Sequence, residues 1–312
     1  MTFLKSFSIW SVPTLFEGVI KLLVLSVLAT YFGAEQYGVL TLMLLLFSYH
    51  SISQLGVTDY LAQKLPLYFR TGKIRMMEYW LSLSLTFSLL CLTIALIFAY
   101  WFVENSIEKY LLPIFLSCLT YQVFNHYILC ERYNYNFKII ANSRFVISFL
   151  RIFFQLPLCI LYGIDVYFYI EFFIYFIGSI HLSKNSPRKL FVNLNLKAYL
   201  GIIKKSKYYF LLMICSLLIA SYDRLIVSLF LDIESVGYIG FLILLISPLN
   251  IPFMQLNSFF RQQALVDYGN DRKSLKLNIY YEYFYFLVLQ AVSLIFIIYY
   301  LFLDYINDVV LF

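Results

Sequence analysis

Apolar residues dominate the chain in long runs that show no period-two alternation. Runs of this length predict membrane-spanning α-helices rather than the strands of a β-barrel. A helix needs about 20 apolar residues to cross a hydrocarbon core of ~30 Å. By this criterion the sequence predicts nine spans, roughly 8–32, 37–56, 79–103, 110–130, 139–163, 166–182, 208–231, 237–260 and 279–303. The predicted fold class is therefore an all-α polytopic membrane protein.

Two of the predicted helical hairpins share one charged layout. In the first, Glu17 and Lys21 lie inside an apolar helix, residues 32–38 form a turn, and an uncharged helix follows. In the second, Asp223 and Arg224 lie inside the helix, and a short acidic turn precedes the next helix. Two copies of one hairpin far apart in the chain indicate a duplicated architecture with a polar interior.

Composition supports the membrane interpretation. Hydrophobic residues make up 62% of the chain, charged residues only 13%, and the mean hydropathy is +0.81. A soluble domain carries about 25% charged residues. The net charge of +6 comes from basic residues in loops, so it indicates membrane topology rather than a nucleic-acid partner. The five cysteines lie in apolar spans without paired spacing, which predicts neither disulfides nor a metal site.

The distribution of basic residues predicts the orientation. Of the 23 lysines and arginines, four lie inside predicted spans, and Lys109 is the single one in the loops of one side. All others lie in loops of the opposite side, which the positive-inside rule assigns to the cytoplasm. This arrangement predicts a cytoplasmic N-terminus and a C-terminal tail outside.

The longest predicted cytoplasmic loop divides the chain into three parts. These are an N-terminal bundle of six helices at 1–182, a linker at 183–207, and a C-terminal part with three helices at 208–312. Leucines spaced among lysines favour an amphipathic linker helix on the inner leaflet, with an ordinary basic linker as the alternative. The predicted outer loops are very short, which disfavours an enzyme with an extracytoplasmic domain.

Charged residues inside the predicted spans are the candidate functional groups. They are Glu17, Lys21, Arg144, Arg151, Glu171, Asp223, Arg224 and Glu282. Each costs about 2.5–3.5 kcal/mol near a helix centre on insertion scales, so these side chains are expected to face a protein interior or an aqueous cavity. Glu17 and Lys21 have the spacing of a helical ion pair, and Arg144 and Arg151 share one helix face.

We divide these residues into two hypothetical roles. The cations are expected to bind an anionic substrate: Lys21, Arg144, Arg151 and Arg224. The carboxylates are expected to pair with them or to couple transport to a cation: Glu17, Glu171 and Asp223. Arginine suits the first role because its planar guanidinium stays charged and matches phosphate oxygens. The structural alternative is an Arg151–Glu171 pair that only ties two helices together.

The eighth predicted span contains two prolines, Pro248 and Pro252, with Asn250 between them. Each proline removes a backbone hydrogen bond, so this helix is expected to kink and to serve as a moving part. The three histidines have no metal-binding spacing, and no nucleotide-binding or hydrolase motif is present. We therefore expect neither a cofactor, a metal ion nor enzymatic activity.

Three stretches in the two hairpins resemble motifs of bacterial oligosaccharide flippases. They are residues 32–39 (Phe-Gly-Ala-Glu-Gln-Tyr-Gly-Val), 222–228 (Tyr-Asp-Arg-Leu-Ile-Val-Ser) and 234–238 (Glu-Ser-Val-Gly-Tyr). These are the O-antigen flippases of the multidrug/oligosaccharidyl-lipid/polysaccharide exporter superfamily. The resemblance implies two six-helix bundles around a central cavity, related by a pseudo-two-fold axis along the membrane normal. With nine predicted spans, the second bundle is expected to be incomplete.

The resemblance also implies a function and a location. The substrate would be an undecaprenyl-pyrophosphate-linked oligosaccharide, moved from the inner to the outer leaflet of the bacterial inner membrane by alternating access. Implied partners are this lipid, membrane lipids and other polysaccharide assembly proteins. Three alternatives stay open: a multidrug antiporter of the same superfamily, a membrane-bound polysaccharide polymerase or glycosyltransferase, and a truncated remnant without transport activity. The cationic spans disfavour an antiporter for organic cations.

Overall fold

A computed structural model of the protein describes residues 3–102, 105–133 and 136–244, which are almost entirely helical. The helices are α1 Phe3–Ser48, α2 Val57–Arg70, α3 Ile74–Phe102, α4 Asn105–Tyr133, α5 Phe137–Leu150, α6 Leu156–Tyr162, α7 Tyr167–Asn185, α8 Leu196–Phe230 and α9 Ile233–Leu244. A 3₁₀ segment, Tyr49–Gln54, follows α1, and a π-helical turn, Arg151–Gln155, joins α5 to α6. The predicted all-α class is confirmed.

Five segments within the described ranges are long and apolar enough to cross a membrane. They are Ser11–Gln54, Ile74–Phe98, Phe137–Tyr162, Ile164–Asn185 and Leu196–Phe230. The first contains two predicted spans, 8–32 and 37–56, and Gly33 breaks the helix between them with φ 75° and ψ 176°. Glycine adopts a positive φ without the steric penalty of a Cβ atom, which explains why the break falls at this residue.

The other predicted spans are covered only in part. The span at 110–130 lies within α4, a helix of 29 residues that is too polar to count among the five. The start of the eighth span forms α9. The rest of that span and the ninth lie outside the described residues, and so do Pro248, Asn250, Pro252 and Glu282. The count of nine spans and the proline kink therefore stay predictions.

The predicted linker at 183–207 covers the end of α7, a non-helical stretch and the start of α8. Helix α7 ends at Asn185, residues 186–195 are not helical, and Leu196 begins α8, which continues without a break to Phe230. The side chain of Asn195 caps α8 by accepting a hydrogen bond from the Ala198 amide at 3.0 Å. The lysine-rich stretch is thus the start of α8 and not a separate linker helix.

Helix α2 packs on α3 and on the start of α8 in a compact apolar core. Val57, Leu61 and Leu65 lie at successive turns of α2 and are almost completely buried there. The rings of Phe87 and Tyr199 stack beside them, with centroids 4.1 Å apart and an interplanar angle of 9°. Elsewhere α4 packs along α7 and α3, and α1 packs along α5.

The predicted turn at 32–38 is helical apart from the kink at Gly33, and the helical stretch after this kink contacts the start of α9 directly. A Cβ atom at Gly38 would collide with the carbonyl oxygen of Ile233, and one at Gly237 would collide with that of Ala34. The contact is reciprocal, because Ala34 precedes Gly38 by the same number of residues as Ile233 precedes Gly237. Both glycines are required because the two backbones cross too closely for any side chain.

Candidate functional site

Five of the predicted charged residues meet inside the N-terminal helices. Glu17 and Lys21 come from α1, Arg144 from α5, Arg151 from the π-helical turn, and Glu171 from α7. We call these five residues the ion cluster. Their convergence agrees with the expectation that ionised groups in apolar helices face a protein interior.

Arg151 is the central member of the ion cluster, and its side chain is fully buried. Its Nη1 atom donates to Oε1 of Glu17 at 3.1 Å. Its Nη2 atom donates to Oε2 of Glu171 at 3.2 Å and to the hydroxyl of Tyr175 at 2.8 Å. The guanidinium carbon also lies 5.5 Å from the centroid of the Tyr175 ring. Arg151 is therefore held by groups on α1 and α7 at once.

Glu17 bridges the two arginines of the cluster. Its Oε2 atom accepts a hydrogen bond from Nη1 of Arg144 at 2.5 Å, while Oε1 binds Arg151. Lys21 interacts electrostatically with Glu17, Glu171 and Arg151. Lys21 and Glu17 both lie in the described part of the chain, and they do not form an ion pair with each other. The helical spacing of Glu17 and Lys21 thus predicted their proximity, but Glu17 pairs with the arginines instead.

Pro157 explains why the helix widens at Arg151. A proline at this position has no amide hydrogen, and its ring clashes with the carbonyl group of Phe153 in a regular α-helix. The chain adopts a π-helical turn there, in which the amide of Leu156 binds the carbonyl of Arg151. Gln155, in the same turn, is fully buried, and its side-chain amide has no hydrogen-bond partner among the described residues. Such turns recur at functional sites.

A polar cavity of about 190 Å³ adjoins the ion cluster at Arg144. Its polar lining consists of Gln54, Thr58, Asn125, His126, Arg132 and Arg144. The buried side chain of Gln122 organises its wall by accepting a hydrogen bond from Gln54 at 3.0 Å and donating one to the His50 carbonyl at 3.2 Å. This arrangement presents two guanidinium groups and two side-chain amides to one small space.

The uncharged members of this region were not among the predicted site residues. Tyr167 and Tyr175, which bind Glu171 and Arg151, lie one turn either side of Glu171 on α7. Gln122 and His126 lie one turn apart on α4. One signal in the sequence could have predicted them. A polar or hydroxyl-bearing side chain that lies one helical turn from a charged residue, inside an apolar helix, is placed to bind that residue. Within the described ranges, no three His, Cys, Asp or Glu side chains group as a metal site requires.

The charged pair of the second hairpin lies apart from the ion cluster. Nε of Arg224 is 3.8 Å from Oδ1 of Asp223, and Nη2 of Arg224 donates to the Ala220 carbonyl at 2.6 Å. Both residues are described, yet Arg224 forms no hydrogen bond or ion pair with Lys21. One turn earlier, the buried Ser221 accepts a hydrogen bond from the Tyr49 hydroxyl at 3.1 Å.

Comparison of the chain with protein-family models, with curated proteins and with solved structures finds no match. The resemblance to oligosaccharide flippases therefore rests on the two hairpin motifs and on the layout of spans and charges.

Proposed function

We propose that the protein moves a lipid-linked, pyrophosphate-bearing oligosaccharide across a bacterial cytoplasmic membrane, as the flippases it resembles do. The ion cluster contains three cations and two carboxylates, so it has a formal excess of one positive charge. A cationic site in an apolar interior attracts an anionic substrate. The observation that carries the proposal is the placement of Arg144, which binds Glu17 of the ion cluster and also lines a polar cavity together with Arg132.

The two arginines of the cluster are assigned different roles. Arg144 lines the cavity, and a guanidinium group can donate two parallel hydrogen bonds to phosphate oxygens. Both Nη atoms of Arg151 already bind Glu17, Glu171 and Tyr175. We assign substrate contact to Arg144, with Lys21 as a further cation nearby. Arg151 is a positioning residue that holds Glu17 in place.

Glu17 is the residue through which a coupling cation would act. It binds both arginines, so protonation of its carboxylate or capture of a cation would loosen the hold on Arg144. Arg144 would then be able to bind an anion in the adjacent cavity. Glu171 stays bound to Arg151 and to the Tyr167 hydroxyl in this scheme.

The reciprocal contact of Gly38 and Gly237 supports a pseudo-two-fold relation between the hairpins. In that arrangement Asp223 and Arg224 belong to the second half of the transport path, together with the proline-containing span. The basic loops support the same orientation as before, with the N-terminus in the cytoplasm and the C-terminus outside.

Export of surface polysaccharide by a bacterium that lacks its own flippase tests the proposal. The wild-type chain should restore export. Arg144→Ala should abolish export without loss of membrane insertion, and Arg144→Lys should restore only part of it, because lysine cannot bind phosphate with a planar fork. Arg188→Ala is the matched control, since Arg188 pairs with Glu78 at 3.5 Å outside the cavity.

Two outcomes would contradict the proposal. One is an inserted wild-type chain that restores no export, and the other is an Arg144→Ala variant that exports as well as Arg188→Ala. Efflux of organic cations without polysaccharide export would indicate the multidrug antiporter instead.

A further inference from the structure

A second pocket lies between α2, α3 and the start of α8, and it shares no lining residue with the polar cavity at Arg144. Its volume is about 260 Å³. The residues that matter for its chemistry are Tyr60, Lys64 and Tyr68 on α2, Trp80 on α3, and Lys205 on α8. All of these elements lie in or next to the basic loops that the positive-inside rule assigns to the cytoplasm.

Two lysines from different helices line this pocket. Lys64 and Lys205 are both exposed, and among the described residues neither has a carboxylate within ion-pair distance. Like charges that share one concave site repel each other, so their arrangement is favourable only when an anion or solvent compensates them. A lysine ammonium group supplies three hydrogen-bond donors to such an anion.

Aromatic side chains complete the lining. The ring of Trp80 forms part of the wall on the α3 side. The phenol of Tyr60 is protonated at neutral pH and burial raises its pKa further, so its hydroxyl is available as a donor. A phosphate group offers several acceptor oxygens, which matches a lining that contains ammonium and phenol donors.

The walls of the pocket are fixed before any ligand binds. Leu61 and Ile202, which line it, are buried in the apolar core that joins α2, α3 and α8. Gly201 leaves space on the α8 side, because a Cβ atom there would meet no other atom within 4 Å. A site that is already ordered loses little conformational entropy on binding.

We propose that this pocket binds a phosphate-bearing anion at the cytoplasmic membrane surface, held by Lys64 and Lys205 beside the aromatic wall of Tyr60 and Trp80. The inner leaflet concentrates anionic phospholipids, and the predicted span within α8 begins at residue 208, shortly after Lys205, so a phospholipid headgroup is one source of the phosphate. A soluble phosphate ion or ester is the other. The proposal is independent of transport, because none of these residues belongs to the ion cluster.

The first experiment measures retention of phosphatidylglycerol by the full chain. The protein is reconstituted in phosphatidylcholine nanodiscs with and without phosphatidylglycerol, and the bound lipid is counted by native mass spectrometry. The variant Lys64→Gln/Lys205→Gln should bind phosphatidylglycerol about thirty-fold more weakly. Each lysine near an anionic surface contributes roughly a factor of five to the binding constant, and two such factors multiply. Lys197→Gln/Lys204→Gln is the matched control, because it removes the same charge from the start of α8 but not from the pocket.

A second arm distinguishes the two sources of phosphate. Trp10→Phe/Trp101→Phe leaves Trp80 as the only tryptophan, so its fluorescence reports on the pocket. A response to inorganic phosphate in pure phosphatidylcholine, lost in Lys64→Gln/Lys205→Gln, would identify a soluble ligand. A response to phosphatidylglycerol alone would identify the lipid. The proposal is overturned if neither anion changes the signal, or if the pocket and control variants weaken binding equally.

Discussion

Removal of one partner of the buried Arg151–Glu171 pair should lower the free energy of unfolding strongly. Removal of both partners should cost less than the sum of the two single removals. Arg151 is fully buried and Glu171 is 3% exposed, so neither charge reaches water when its partner is removed. Breaking a buried pair in this way costs about 3–5 kcal/mol. Glu17 and Tyr175 still bind Arg151 in Glu171→Gln, so we expect a loss near the lower end, about 3 kcal/mol.

The double variant Arg151→Met/Glu171→Gln removes both charges at once. It should therefore lose less than the sum of the single variants, with a coupling energy of about 2 kcal/mol, within the range for residues in one network. Reversible unfolding in mixed micelles of rising dodecyl sulfate content, followed by tryptophan fluorescence, measures each free energy. Export by the double variant also decides the role of Arg151. Export at the wild-type level would show that Arg151 only pairs two helices. Reduced export would show that Arg151 is needed to position Glu17.

The matched control is the adjacent pair Asp223 and Arg224. These side chains are 3.8 Å apart and partly exposed, so their coupling energy should lie between about 0 and 1 kcal/mol. A coupling energy for Arg151 and Glu171 no larger than that of the control pair would refute the electrostatic reasoning.

Two further predictions follow from the described contacts. Gln155→Leu should raise the free energy of unfolding by about 1–2 kcal/mol, because it replaces a buried amide that has no partner in the described part of the chain; a loss of stability would show that the amide binds a group at this site. Gly237→Ala should lower the free energy of unfolding by about 1–3 kcal/mol in the same micelle titration, because a Cβ atom there would collide with the Ala34 carbonyl. Gly201→Ala is the control and should not lower it, because a Cβ atom at that position would meet no other atom within 4 Å. An unchanged free energy of unfolding in Gly237→Ala would show that the helices do not cross closely there.

The fold class and the ion cluster were predictable from sequence for one physical reason. Ionised side chains in apolar helices are too costly to face lipid, so those of α1, α5 and α7 had to converge. The contact between Arg151 and Glu171 was anticipated as the structural alternative, and the structure contains it. The partners of Glu17 were not predictable, because helical spacing reports only on neighbours within one helix. Glu17 therefore pairs with Arg144 and Arg151 on another segment, and not with Lys21 one turn away.

Helix α2 was not predicted from the sequence, for a different physical reason. Val57, Leu61 and Leu65 recur every four residues, which is the spacing of an amphipathic helix, but the stretch is too short to cross a membrane, so the count of spans predicts a loop there. Its burial depends on the start of α8, far away in the chain, which supplies Tyr199 and Ile202 to the same core. The apolar face of α2 can be recognised from its spacing, but the segment that covers this face cannot be identified from either sequence alone.

The position of Arg151 and the irregularity of its helix have a common origin in the sequence. A π-helical turn adds one residue, which rotates the preceding helix by about 100° relative to the helix that follows. Arg151 and Gln155 are consequently both buried, while Phe153 and Phe154, between them, are exposed. Pro157 makes this turn favourable because it removes the amide that a regular α-helix would need. A proline six residues after an arginine inside an apolar span is therefore a local indication of a buried, oriented charge, and it can be recognised without knowledge of the partner helices.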